Sequence, residues 1–511
     1  MPAITSILGL AFAAVVSCGR QRYRAFLVRP MKLHKVIPVL AALGAMFLRS
    51  AGASASETGG PGPVEAIAAP PLWAALPFVG YLLIIALFPL FLCRFWEKNR
   101  NKLIVAVAAG IPAAAWLLLG HPCGAEWLLH SVKEYAAFIV LLGALFVISG
   151  GIYLRGSLAG TPIVNTALMA TGAVLASFIG TTGASMLLIR PLLRANEKRQ
   201  RKMHLVIFFI FIVANGGGML TPLGDPPLFL GFLRGVPFLF TLRLFLPWAL
   251  VNGVLLVLVN LWDQAVLNKE EKERPGSQLE EVLEVKEPLR IEGGLNLVWL
   301  LGVIAVIYLM GTYGTAISSN ADVQKLCQVA GMAAMAGLSL WLTPRSVRES
   351  NRFTWGPMAE VAAVFAGIFV TMVPALKLLE LRGGALGLTE PWQFFWATGG
   401  LSSFLDNAPT YLTFSSLAVG VVNSIHPEAH LVAENLGGLL RYPEGVLYLT
   451  AISCGAVFMG ANSYIGNGPN FMVKAIAEDN RVRMPSFFGY MAWSIGILIP
   501  LFVVVTLVFF V

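Results

Sequence analysis

Residues 72–93, 134–154, 244–262 and 487–511 are apolar over runs close to or above the roughly 20 residues that a helix needs to cross a bilayer core. In that solvent a bare backbone N–H or C=O finds no water, so chain at membrane depth is either helical or shielded by protein. Composition agrees. Of 511 residues 57% are hydrophobic and 12% charged, about half the charged share of a soluble domain. The expected fold is an all-α polytopic membrane protein, and the lipid bilayer is its first partner.

The formal net charge of +9 has a topological reading. Basic residues gather in short loops between apolar runs: "CRFWEKNRNK" (93–102), "RPLLRANEKRQRK" (190–202) and "PRSVRESNRF" (344–353). That is how cytoplasmic loops are marked, and it leaves no role for nucleic acid. Cys18, Cys93, Cys123, Cys327 and Cys454 are scattered without a CxxC pair, and the six histidines lie mainly near segment ends, so no metal cluster is expected. Ahead of the first long run, "MKLHKVIPVLAALGAMFLRSAGASA" (31–55) has the basic start, short apolar core and small-residue exit of a signal peptide, against the alternative of one more membrane helix. Residues 1–30 then read as an upstream extension and 56–71 as a flexible outside tail.

Basic loops placed on one side give a path. Segments 72–93, 103–120 and 134–154 cross. Residues 162–193 start and end on the basic side and read as a re-entrant hairpin turning at "GTTG" (180–183). Segments 204–234 and 244–262 complete a first repeat, 72–262. A charged stretch, 263–293, reads as a solvated cytoplasmic linker. The second repeat, 294–511, has crossings 294–311, 326–343, 357–378, 446–478 and 487–511, with a hairpin at 391–421. Five crossings and one hairpin in each half start on opposite sides, which is an inverted repeat. Two motifs recur in order: "SFIGTTGAS" (177–185) with "SFLDNAPTY" (403–411), and "GDPPLF" (224–229) with "GNGPNF" (466–471).

Two of the crossings cannot stay helical. "NGGGMLTPLGDPPLF" (215–229) carries four glycines and three prolines, and "GANSYIGNGPNFMVKA" (460–475) repeats the pattern. Helices 204–234 and 446–478 are therefore expected to be discontinuous, with half-helix ends facing a cavity that holds an ion or substrate. A kink that only aids packing is the plainer alternative for either one alone. Asp225 and Asp406 sit in these regions, where an intramembrane carboxylate costs roughly 3 kcal/mol on insertion scales and so usually handles ions. Around them lie Thr181, Thr182, Ser185, Asn215, Thr221, Asn407, Thr410, Asn462, Ser463, Asn467 and Asn470, neutral oxygen ligands suited to a hard cation such as sodium. Asp225, Asp406 and Asn407 are the leading candidate sodium ligands. Helix-to-helix hydrogen bonding is an equal reading of Ser185 and Thr410. Lys474 reads either as a counter-ion to an aspartate or as a snorkelling lysine, Glu360 as interfacial, and Arg190 as part of the basic loop. No phosphate-binding GxxxxGK[ST], HExxH or catalytic triad is apparent, so coupling to an ion gradient, with no cofactor beyond sodium or a proton, is expected of a non-enzyme.

At these residues the chain resembles the ion transporter superfamily, which holds NhaD-type sodium/proton antiporters, arsenite permeases, citrate transporters and divalent-anion/sodium symporters. "GGGMLTPLGDPPLF" is similar to the signature of the antiporter and arsenite branches, and "SSFLDNAPTYLTF" to their Leu-Asp-Asn tip. The likeness spans about residues 72–511 and points to the citrate transporter or sodium/proton antiporter-like group. It implies a homodimer in the cell inner membrane, with a scaffold domain and a moving transport domain. Asp225, Asn215 and Thr221 would form one half-site, and Asp406, Asn407, Asn467 and Asn470 the other. The tips Gly180-Thr181-Thr182 and Asp406-Asn407-Ala408 depart from the Ser-Asn-Thr of dicarboxylate symporters. Sodium/proton antiport, with one carboxylate taking either cation, is the leading expectation. A citrate or carboxylate transporter using Lys474 and half-helix N-termini is the alternative, and arsenite efflux through Cys454 is a weaker one.

Overall fold

A computed structural model describes residues 70–511 except 157, 274, 277–287 and 289. The signal-peptide reading of 31–55, the extension at 1–30 and most of the tail and linker lie outside the described residues. Among the described residues ten helices are long and apolar enough to cross a membrane. The chain is a multi-pass membrane protein. One short exception to the all-helical expectation is an antiparallel ribbon, β1 (Tyr153–Arg155) with β2 (Arg290–Glu292), in which Tyr153 faces Glu292.

The chain divides into two compact units. Among the described residues the first contains 70–139 and 354–378. Its helices Leu76–Phe91 and Asn99–Gly120 turn Leu83, Leu87, Ile104, Ile111 and Leu118 outward, a surface that suits lipid and would aggregate in water. Tyr81 Oη on the first of these helices donates to Val364 O (3.0 Å), and Tyr135 Oη on the next helix, Gly124–Ser149, donates to Ala362 O (2.8 Å). Glu360 is half exposed and pairs with the buried Lys102 at 2.5 Å.

The second unit, 140–353 and 379–511, holds every candidate site segment. Helix Pro162–Ala195 is one element only in name. At Gly180 the backbone adopts φ 78°, ψ 151°, a conformation that costs glycine little and other residues much. Beyond it the chain folds back. Asn165 and Asn196, 31 residues apart, exchange side-chain hydrogen bonds of 3.1 and 2.7 Å, whereas a straight helix would hold them about 46 Å apart. Helices Pro391–Ser402 and Asn407–Ile425, joined by a short tip, pack on each other and on Pro443–Met459. The crossing expected at 204–234 is helical over Met203–Ile212 and again over Pro226–Leu233. The one expected at 446–478 is helical over Pro443–Met459 and Gly468–Asp479. Residues 205–212 are buried on all sides, as a helix apolar all round must be in a protein interior.

One boundary needs correction. The charged stretch taken as a solvated linker from 263 onward is helical to residue 273, within Phe245–Glu273, and Asp263 and Glu270 are buried. Their partners lie far away in sequence. Arg199 reaches Asp263 (2.6 Å) and Glu270 (3.3 Å), His204 Nε2 lies 2.9 Å from Asp263, and Asn165 donates to Asp263 (2.9 Å). Charge pattern along one segment cannot reveal partners 59 to 98 residues distant.

Candidate functional site

Both interruptions are built the same way. The Thr221 hydroxyl donates to the carbonyl of Ser177 on the first hairpin and accepts from Leu223 N. The Ser463 hydroxyl donates to the carbonyl of Ser403 on the second and accepts from Ile465 N and Gly466 N. In each break the chain crosses itself. A Cβ on Gly224 would stand 2.2 Å from Gly218 O, and one on Gly466 2.5 Å from Gly460 O, so glycine is required for the close approach. The glycines that make helix impossible are the ones that make this crossing possible.

Asp225 and Asn467 then occupy matching positions, each the last residue before a resumed helix. An aspartate or asparagine there ordinarily caps its own helix. Neither does so. Asp225, 1% exposed, turns its carboxylate outward to three other elements. Oδ1 accepts from Thr181 Oγ1 (3.0 Å) and Asn467 Nδ2 (3.4 Å), and Oδ2 from Asn407 Nδ2 (2.7 Å). The Ser402 hydroxyl, 2.7 Å from Asn407 Oδ1, aims that amide's N–H at Asp225. Asn467 Nδ2 also donates to Asn215 Oδ1 (3.1 Å), Asn215 Nδ2 to Asn470 Oδ1 (2.7 Å), and Asn470 Nδ2 to the carbonyls of Gly460 (2.8 Å) and Ser463 (2.9 Å). Six of the sequence candidates thus form one buried network around a single carboxylate.

Other candidates lie outside this hydrogen-bonded network, although Asp406 is near enough to Asp225 to interact with it electrostatically. Asp406, at the second tip, caps helix 407–425 by accepting from Ala408 N (3.1 Å), and Thr410 bonds back to Asp406 O (3.0 Å). Thr221 and Ser463 hold the breaks in shape. Thr182 is partly exposed and joins none of these contacts, and Ser185 is buried with its hydroxyl unpartnered. Asn462 donates to Ser403 Oγ (2.9 Å) and leaves a buried Oδ1 without a donor.

Lys474 is not a counter-ion to either aspartate. It pairs with Glu478 one turn along its own helix (2.8 Å) and lies over the rings of Tyr464 and Phe471, the local pairing that i,i+4 spacing favours. The resumed helices open with few donors for an anion, the Gly468 N–H among them. Pro226, Pro227 and Pro469 have no N–H, and Leu228 N and Asn470 N turn back to Asp225 O and Asn467 O. Arg190 is not in the loop where its charge suggested. It lies inside helix 162–195, half-buried. Ser177, Ser402 and Ser403 went unnoticed, although Ser177 and Ser403 head the two aligned motifs and so carried a signal.

No curated protein matches the chain. The model of the family described as "Putative citrate transport" matches residues 67–510, nearly all of the chain described above. Transport families of this kind are not enzyme classes, and the substrate they imply is a small carboxylate. The chain belongs to this putative citrate transport family and is a membrane transporter.

Proposed function

We propose that the protein is a secondary transporter that moves a small carboxylate such as citrate with a coupling cation, and that Asp225 carries the cation. One observation supports this above the rest: a fully buried carboxylate whose partners, Thr181, Asn407 and Asn467, are all neutral. An ionised carboxylate without a counter-charge is costly away from water, so a proton or sodium ion is the natural occupant. Rotating the Thr181 hydroxyl and the Asn407 and Asn467 amides would present oxygens to sodium, a hard cation. A proton on Asp225 would serve without rearrangement of the shell. One carboxylate cannot hold both, so uptake couples to one of the two cations at a time.

The path of the chain fits an inverted repeat of five crossings and one re-entrant hairpin in each half. The twinned breaks at 213–225 and 460–467 support it, as do the matched Thr221–Ser177 and Ser463–Ser403 contacts. In this reading the loops 93–98 and 196–202 and the linker are cytoplasmic, the protein is a homodimer in the cell inner membrane, and both hairpins and both broken helices travel together.

Citrate uptake into proteoliposomes under an imposed sodium or proton gradient tests the reading. Uptake should follow one of the gradients in the native protein and lose that dependence in Asp225→Asn. Uptake indifferent to both gradients would end it. A second reading, sodium/proton antiport without an organic substrate, draws on the absence of a cationic side chain from the network among the described residues. It predicts sodium-dependent dequenching of a pH dye with no citrate present.

A further inference from the structure

Among the described residues the network at Asp225 has no positive group, Lys474 is engaged elsewhere, and the prolines of the resumed helices leave few donors. A carboxylate substrate must therefore meet its positive partner at another place. Arg190 is half-buried in the second arm of the first hairpin, its Nη1 fully buried without a hydrogen-bond partner. Among the described residues it forms no hydrogen bond or ion pair. Arg194, in contrast, is held by Tyr153 Oη (2.9 Å) and Leu154 O (2.7 Å). Arg190 interacts electrostatically with Arg352, Arg194, Tyr153 and the exposed Asp479, so positive charge outweighs negative around it. A buried N–H left unmet costs about 1–3 kcal/mol, more when charged, and the guanidinium fork matches a carboxylate in two parallel hydrogen bonds. Nine residues of helix place Arg190 about 14 Å from Thr181, beyond direct contact with the Asp225 network.

We propose that Arg190, within the electrostatic reach of Arg352, is a substrate-carboxylate site on the face bearing the basic loops, separate from the cation network and passed before it by substrate from that side. This rests on the reading of the substrate as a small carboxylate. The test is citrate uptake at low ionic strength in proteoliposomes of phosphatidylcholine alone and with added phosphatidylglycerol, using protein oriented to load from the basic face. Arg190→Gln should raise KM for citrate about ten-fold or more, the loss expected when a carboxylate loses a buried cationic partner, with the dependence on the cation gradient unchanged. Arg190→Lys, which keeps the charge and lacks the fork, should fall between. If the native protein transports citrate and Arg190→Gln has native KM, the inference fails while the function stands. If the shift appears only with phosphatidylglycerol, the arginine is a lipid site and the inference fails. If the native protein neither binds nor moves citrate, both fail.

Discussion

Asp225 and Asp406 have the same side chain and both precede a helix, yet their surroundings separate them. Asp406 spends its carboxylate on Ala408 N of its own helix, while Asp225 gives its two oxygens to Thr181, Asn407 and Asn467. Asn is as good an N-cap as Asp, so Asp406→Asn should leave the helix intact. It should lower coupled uptake far less than Asp225→Asn, with a gap of about ten-fold or more in initial rate. Equal losses in the two variants, at equal amounts of folded protein, would put the coupling charge at the second tip after all. The first tip carries no aspartate for a backbone reason: its φ of 78° at position 180 selects glycine. The asymmetry between the tips was legible in the residues, but its cause was not.

At the scale of elements, one hydroxyl ties each break to the carbonyl of its neighbouring hairpin. Thr221→Val removes a donor and leaves the buried Ser177 carbonyl and Leu223 N–H unmet, a cost of about 1–3 kcal/mol for each group. A lower melting temperature in detergent should record it, and Thr221→Ser should restore it. The buried charges at the base of the first hairpin predict a larger effect. Asp263→Ala strips Arg199, His204 and Asn165 of a shared acceptor, and breaking such a buried pair costs about 3–5 kcal/mol. Removing both partners, as Arg199→Met with Asp263→Leu, should recover most of that loss in the same thermal assay. Additive losses would mean that the cluster is not coupled. Sequence placed these residues in a basic loop and a solvated linker, because charge alone looks like solvation until a partner is known.

For the whole molecule, the inverted arrangement makes a topological prediction. In a background without native cysteine, Gln200→Cys after the first hairpin and Glu428→Cys after the second should react with an impermeant maleimide from opposite faces of the membrane. Both positions are exposed. Labelling from the same face would defeat the inverted repeat while leaving the family unaffected.

The amino-acid order alone settled that the chain crosses a membrane many times and where its helices must stop, because apolar length and the loss of donors at glycine and proline act locally. It also named the polar residues worth watching. Folding decided which of them meet: Asn407 reaches Asp225 across 182 residues, Lys474 turns to Glu478 instead, and Arg190 withdraws from its loop into a helix. The Asn407–Asp225 contact depends on how distant segments pack, which nothing in the residues beside either one encodes, whereas the Lys474–Glu478 pair is local and its i,i+4 spacing was there to be read.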